Sequence, residues 1–339
     1  MDVAPGLREI EDEMARQFRD ARTTFSQVQE AARPIAERIA ATGRVVMLGM
    51  GASHWANRMA AASYRGLGIR AYPEILSEYM RAPLPPGDRV TLITSQSGES
   101  GEIASYFAAL PNRHDHFGLT LNAGSTLGRL VPVLAGSGEP ERPYAATRSI
   151  VISLILHAAI LHHLGHDDAA LMEVLAHDAP AATPNEEAVA ELAACHTLFL
   201  TGRGQAHGAL EAAALTFMEL ARTPAIALEL GQLLHGPREC LAPGTVLVLA
   251  REIGPDASGI TRMAAAARSY GLRPILFDLG RQDPVAGAIH IRLPARNGLA
   301  AALQLLPAVQ LHVIHAAAHR VSDFGKPRRS SKVTDGEAT

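Results

Sequence analysis

The chain has 339 residues, 47% hydrophobic and 19% charged, with a formal net charge of −3. That length suits two lobes that each bury a core, and the near-neutral balance sets up no field that would gather nucleic acid or an anionic membrane. Two cysteines, Cys195 and Cys240, offer no disulfide framework. The acidic, charged N-terminus is unlike a signal peptide and no apolar run of about 18 residues goes without polar interruption, so a cytoplasmic protein is expected.

In chain order, residues 9–19 and 27–41 read as helices. Residues 45–49 are an apolar strand running into Gly49-Met50-Gly51, followed by a helix over 54–67. A short strand near 69–75, a strand at 90–94, a helix near 103–110 and a strand at 117–121 come next. Residues 145–164 form a long apolar helix, and 165–197 a hinge and helix. The plan then starts again with Leu198-Phe199-Leu200-Thr201-Gly202-Arg203-Gly204, 153 residues later (51 to 204). Its helix covers 206–222, its further strands 224–229, 246–250 and 274–278, and its second helix 259–270. Nearly all-apolar strands alternating with helices imply an α/β protein of two tandem lobes, each a doubly wound, mostly parallel sheet with helices on both faces. The expected division is N-terminal helices 1–43, lobe 1 at 44–164, hinge and helix 165–197, lobe 2 at 198–320 and a tail at 321–339. On composition, that tail is polar, basic and without period, as a disordered segment would be.

The most informative segment is Thr94-Ser95-Gln96-Ser97-Gly98-Glu99-Ser100-Gly101-Glu102, which follows an apolar strand and opens a helix. Unpaired N–H groups at a helix start carry partial positive charge, and serine hydroxyls add donors at little steric cost. The segment therefore reads as a seat for a phosphate-type anion, with a plain capped helix start as the alternative. Gly49-x-Gly51 with Glu74 imitates a dinucleotide fingerprint, but His54 stands where the third glycine belongs, so no nicotinamide is expected. His162, His163, His166, Asp167 and Asp168 fall at a helix end marked by Gly165, where such residues are common; no metal is expected.

With these motifs in hand, the chain resembles the sugar isomerase (SIS) family in its double-domain form, over residues 40 to 334. The resemblance rests on Gly49-Met50-Gly51-Ala52-Ser53, Ser95-Gln96-Ser97-Gly98-Glu99-Ser100, Ala145-Ala146-Thr147-Arg148, Gly202-Arg203-Gly204, Leu234-His235-Gly236-Pro237 and Lys326-Pro327-Arg328-Arg329-Ser330-Ser331-Lys332-Val333-Thr334. It implies that Gly51, Ala52 and Ser53, with Ser95, Gln96, Ser97 and Ser100, hold a sugar 6-phosphate. The second lobe has Ala250-Arg251-Glu252-Ile253-Gly254 at the equivalent turn, so one phosphate site per chain is expected. Counted back from the His-Gly-Pro motif, the family's proton-shuttling glutamate falls on Glu219. Its ring-opening histidine falls on His235, which implies a homodimer in which His235 serves the neighbouring subunit, and its C-terminal lysine falls on Lys332. Thr216 replaces a lysine that the glucosamine-6-phosphate synthase relatives carry. No glutaminase half with a nucleophilic cysteine is recognised, so glutamine-driven amination is not expected.

The implied activity is aldose–ketose isomerisation of a 6-phosphosugar, by a phosphosugar isomerase or amino-sugar-6-phosphate deaminase, with deglycases among the relatives. A non-catalytic sugar-phosphate sensor is the alternative. No metal or organic cofactor is called for, because the substrate's carbonyl supplies the electron sink. A partly buried carboxylate suits the proton transfer, although without the resemblance Glu219 reads as a solvated helix charge. A histidine can pass a proton to or from a ring oxygen, but His235 also fits a surface turn, and Lys332 fits either an open-chain sugar contact or an ordinary tail lysine.

Overall fold

The structure, a computed structural model, describes residues 5–110, 112–177 and 183–332. Val333 and Thr334 of the C-terminal motif lie outside the described residues. The chain divides into two compact units, Asp12–Ala179 with Arg328–Thr339, and Met1–Glu11 with Pro180–Pro327. The helix α1 (Pro5–Gln27) is continuous, and its first residues belong to the latter unit. Its buried residues Leu7, Ile10, Met14, Phe18 and Ala21 recur every three or four positions, the period of a helix with one apolar face.

The first unit holds five parallel strands, β1 (Arg44–Gly49), β2 (Arg70–Ile75), β3 (Val90–Thr94), β4 (His116–Thr120) and β5 (Val133–Ala135), in the order β2-β1-β3-β4-β5. Its main helices are α2 (Gln29–Thr42), α3 (Gly51–Gly66), α4 (Leu76–Arg81), α5 (Gly101–Ala108), α6 (Thr126–Leu130), α7 (Arg148–His163) and α8 (Ala169–Leu175). Parallel neighbours need helical crossovers that cover both faces, which explains why all of β3 and all but the first residue of β1 are buried. Val46, Leu48, Ile93, Ile103, Phe107 and Leu127 form one core cluster. Because β2 and β3 flank β1 on opposite sides, the chain leaves β1 and β3 in opposite directions. Their carboxyl ends frame the crevice where open α/β sheets bind ligands.

The second unit repeats this plan with β6 (Thr197–Gly202), β7 (Ala225–Glu229), β8 (Thr245–Glu252), β9 (Ile275–Leu279) and β10 (Ile289–Arg292), in the order β7-β6-β8-β9-β10. Around them lie α9 (Glu186–Ala194), α10 (Gly204–Ala221), α11 (Leu230–Leu234), α12 (Ala257–Ser269) and α13 (Gly298–Arg320). By length and composition α13 could cross a membrane, but 89% of its most apolar stretch is buried. It is a core helix, packed on α10. The fold is thus the expected pair of doubly wound lobes, each with a fifth strand that the apolar pattern does not reveal.

Candidate active site

Register fixes the cradle. Gly49, the last residue of β1, pairs with Thr94, the last of β3, so residues 50–53 and 95–100 leave the sheet side by side. The first run enters α3 through Gly51 at φ +50°, with no side chain capping the helix. The Ser53 N–H donates to the Met50 carbonyl at 3.1 Å, while the Gly51 and Ala52 N–H groups lie too early in the helix for an intrahelical acceptor. Ser53, Ser95, Gln96, Ser97 and Ser100 are all half-buried, accessible yet held.

The serine loop is braced from within. Ser95 Oγ accepts from the Gly98 N–H at 3.1 Å, and Ser97 Oγ from the Glu99 N–H at 3.2 Å. The Gln96 carbonyl accepts from the Leu121 N–H and the Thr120 hydroxyl at the end of β4. Glu99 turns away, accepting from the Thr126 hydroxyl at 2.5 Å and from its N–H at 2.9 Å, and these hydrogen bonds hold its carboxyl below the usual range. Gly98 sits at φ +67°, where a Cβ would stand 2.1 Å from Ser125 Oγ, so only glycine closes the turn. Ser100 is the N-cap of α5, yet its side chain makes no capping bond. The serine loop and the starts of α3 and α5 thus lie together at the carboxyl ends of β1 and β3.

The C-terminal segment returns to this unit. Lys332 Nζ donates to the Tyr144 carbonyl at 3.3 Å and lies 3.9 Å from Glu141 Oε2. The Tyr144 hydroxyl meets Ser330 Oγ. Glu141 is itself the anchor of the Ala145-Ala146-Thr147-Arg148 motif. Its Oε1 accepts from the Thr147 N–H at 2.9 Å, the Thr147 hydroxyl at 2.6 Å and the Arg148 N–H at 2.9 Å, and its Oε2 from the Ser149 hydroxyl. This buried carboxylate satisfies the start of α7 from six to eight residues upstream, beyond the reach of any local capping signature. Arg148 is fully buried against Glu13, with Asp20 3.4 Å away, and serves the scaffold.

The second unit carries the other two expected residues. Glu219 is half-buried on α10, and His235 is exposed directly after α11. Thr216, one turn before Glu219, points into the core and accepts from Gln310 Nε2 at 3.1 Å. The counterpart of the serine loop here is changed in charge. Thr201 pairs with Leu249, so Ala250 stands level with Gly202, and Arg251, Glu252 and Asp256 occupy the places of Ser95, Gln96 and Ser100. Arg251 makes a fully buried bidentate pair with Asp278 at 2.9 and 2.7 Å. Glu252 accepts from the backbone N–H groups of Ala206 and Gly298, lining a cleft of about 220 Å³ with Arg203, Asp256 and Asn297. Two carboxyl groups where the first lobe has an amide and a hydroxyl would repel a phosphate. A larger cavity of about 530 Å³ opens in the first unit between Tyr79, Arg89 and Tyr106, at the amino ends of β3 and β4, away from the cradle.

No protein-family model matches the sequence. The chain is 26% identical over 313 residues to glutamine–fructose-6-phosphate aminotransferase (isomerizing) of Sulfurisphaera tokodaii, across 89% of this chain and 52% of that protein. It spans about half the length of the curated relatives it matches. The C-terminal domain of glucosamine-fructose-6-phosphate aminotransferase from Francisella tularensis superimposes with a TM-score of 0.79 at 18% identity, covering 94% of this chain and 98% of that one. Tagatose-6-phosphate ketose/aldose isomerase from Escherichia coli gives 0.78 at 19% identity, covering 96% and 98%. Two tandem lobes of one plan, with a serine loop at the switch crevice of the first, give this chain the fold of these sugar-isomerase (SIS) type structures, as its resemblance to the double-SIS family implies.

Proposed function

We propose that the protein is a 6-phosphosugar isomerase acting on an amino-sugar 6-phosphate, with loss of the amine. The cradle at the ends of β1 and β3 carries this reading, because it sets the serine loop beside the starts of α3 and α5. In this reading Ser53, Ser95, Gln96, Ser97 and Ser100 bind the phosphate, together with the Gly51 and Ala52 backbone. His235 passes a proton to the ring oxygen and opens the sugar. Glu219 takes the C2 proton of the open-chain aldose and returns it to C1. That leaves a C2 imine, which water hydrolyses to the ketose and ammonia. Lys332 engages the open chain. The exposure of His235 suits a role at a neighbouring subunit's site, and a homodimer is part of the proposal.

The test is turnover of glucosamine 6-phosphate and of a fructosamine 6-phosphate by the wild type and by Glu219→Gln. The reading expects turnover of one of them and a loss of at least a hundredfold in the variant; equal rates would end the shuttle assignment. One observation favours a second reading as a sugar-phosphate sensor: Thr216, in place of a lysine, is buried and bonded to Gln310, so it supplies no charge. Binding of sugar phosphates with no turnover of any would decide for it.

A further inference from the structure

Behind the serine loop runs a buried polar chain that no reading of the motifs anticipates. Thr94, the last residue before the loop, donates from Oγ1 to Asn57 Oδ1 at 2.7 Å. His157 Nε2 lies 2.9 Å from the same oxygen, and the Tyr64 hydroxyl lies 3.3 Å from His157 Nδ1. Tyr64, Asn57 and His157 are fully buried and Thr94 nearly so. Burial pushes His157 down to about 3, so its ring is neutral at working pH, and it raises Tyr64, which keeps its proton. A neutral imidazole has one donor and one acceptor. The Tyr64 O–H therefore goes to Nδ1, and the Nε2–H goes to the Asn57 amide oxygen. The other end of that amide faces β1, where a Cβ on Gly49 would stand 3.0 Å from Nδ2. Asn57 thus touches the ends of both strands that frame the cradle.

The second lobe is an internal control. The 153-residue offset maps Gly49 to Gly202, Asn57 to Leu210 and Tyr64 to Phe217, and the strand register puts Ala250 in the place of Thr94. A Cβ on Gly202 would stand 3.1 Å from Leu210 Cδ1, so the leucine fills the same joint against the same glycine. In the lobe that has no serine loop the places of Asn57, Tyr64 and Thr94 are apolar, while the offset maps His157 to Gln310, which is buried and bonded to Thr216 instead. Buried polar groups cost stability unless each is satisfied, so keeping four of them beside the loop needs a reason other than packing.

We propose that Asn57, oriented by His157 and Tyr64, is a positioning residue for phosphate: it fixes Thr94, and so the start of the serine loop, against the N-terminus of α3. The inference rests on the cradle being a phosphate seat. The probes are inorganic phosphate and glucose 6-phosphate, titrated calorimetrically into the full chain. Thr94→Val, which removes the hydroxyl at constant shape, is expected to weaken both at least fivefold, and Thr94→Ser to stay within twofold of wild type. With a turned-over substrate, KM should rise in Thr94→Val while kcat changes less than threefold, a split that general destabilisation would not produce. Wild-type affinity in Thr94→Val would overturn the inference and leave the seat intact. No binding of either probe by the wild type would remove the seat, and the inference with it. If Thr94→Val does not melt cooperatively, Tyr64→Phe decides: at least twofold weaker phosphate binding supports the positioning role, and unchanged binding refutes it.

Discussion

Glu252 offers the sharpest quantitative test of the changed second lobe. Its Oε1 is buried with no hydrogen-bond partner, and burial, reinforced by the charge of Asp256, pushes its carboxyl up to about 7 despite two backbone N–H donors. A carboxyl raised in the folded state contributes stability that is complete below its ordinary value near 4.5 and is lost as pH climbs through 7. The full shift corresponds to roughly 3 kcal/mol at 1.36 kcal/mol per unit, and the open cleft reduces this to about 1–2 kcal/mol. Glu252→Gln carries no charge at any pH. Its stability relative to wild type, measured by urea unfolding, should be level or slightly lower at pH 5 and about 1–2 kcal/mol higher at pH 8.5. The histidines act in the opposite sense. Burial lowers His54, His116, His157 and His312, so their contribution grows as pH rises, but they are common to both proteins and cancel in the difference. A difference that stays flat from pH 5 to 8.5, or that falls, would refute the electrostatic account of this cleft.

Three further outcomes follow from other parts of the chain. Gly98→Ala places a side chain at φ +67° and against Ser125, the N-cap of α6, and should cost about 2–3 kcal/mol in chemical denaturation together with phosphate affinity; a loss below about 1 kcal/mol would contradict the close approach. Asp278→Asn leaves the buried Arg251 guanidinium without its carboxylate and should cost about 3–5 kcal/mol at pH 7. Burial works against the Asp278 carboxylate, but the Arg251 hydrogen bonds win and hold it below the usual range, so this stability is lost as pH falls below about 4 and the variant's penalty should shrink there. Glu141→Gln removes the anion beside Lys332, and tryptic cleavage within residues 328–332 should accelerate severalfold; an unchanged rate would show that Glu141 does not hold the C-terminal segment.

The strands that carry the fold are legible because parallel strands covered on both faces must be apolar throughout, as residues 45–49 and 90–94 are. The repeat shows in the Gly-x-Gly turns, since both lobes need a tight exit from their central strand. The fifth strands are edge strands that leave no such pattern: Val133–Ala135 is only three residues long, and Ile289–Arg292 alternates apolar with polar residues. The serine loop announces itself through composition. Its supports do not: Asn57 and His157 are a hundred residues apart, and Glu141 reaches across a turn to Ser149, so only tertiary structure brings these partners together. Thr216 shows the converse, because its place in the sequence marks a missing lysine while only the tertiary structure turns it toward Gln310.

The most direct measurement is a calorimetric titration of a hexose 6-phosphate and of the same hexose without phosphate into the wild type, Ser97→Ala and Ser100→Ala. The account predicts one molecule of the phosphate ester bound per chain, at least tenfold weaker binding in either serine variant, and no measurable heat from the free sugar. Equal binding of both sugars, or serine variants that bind like the wild type, would contradict a phosphate seat at the ends of β1 and β3.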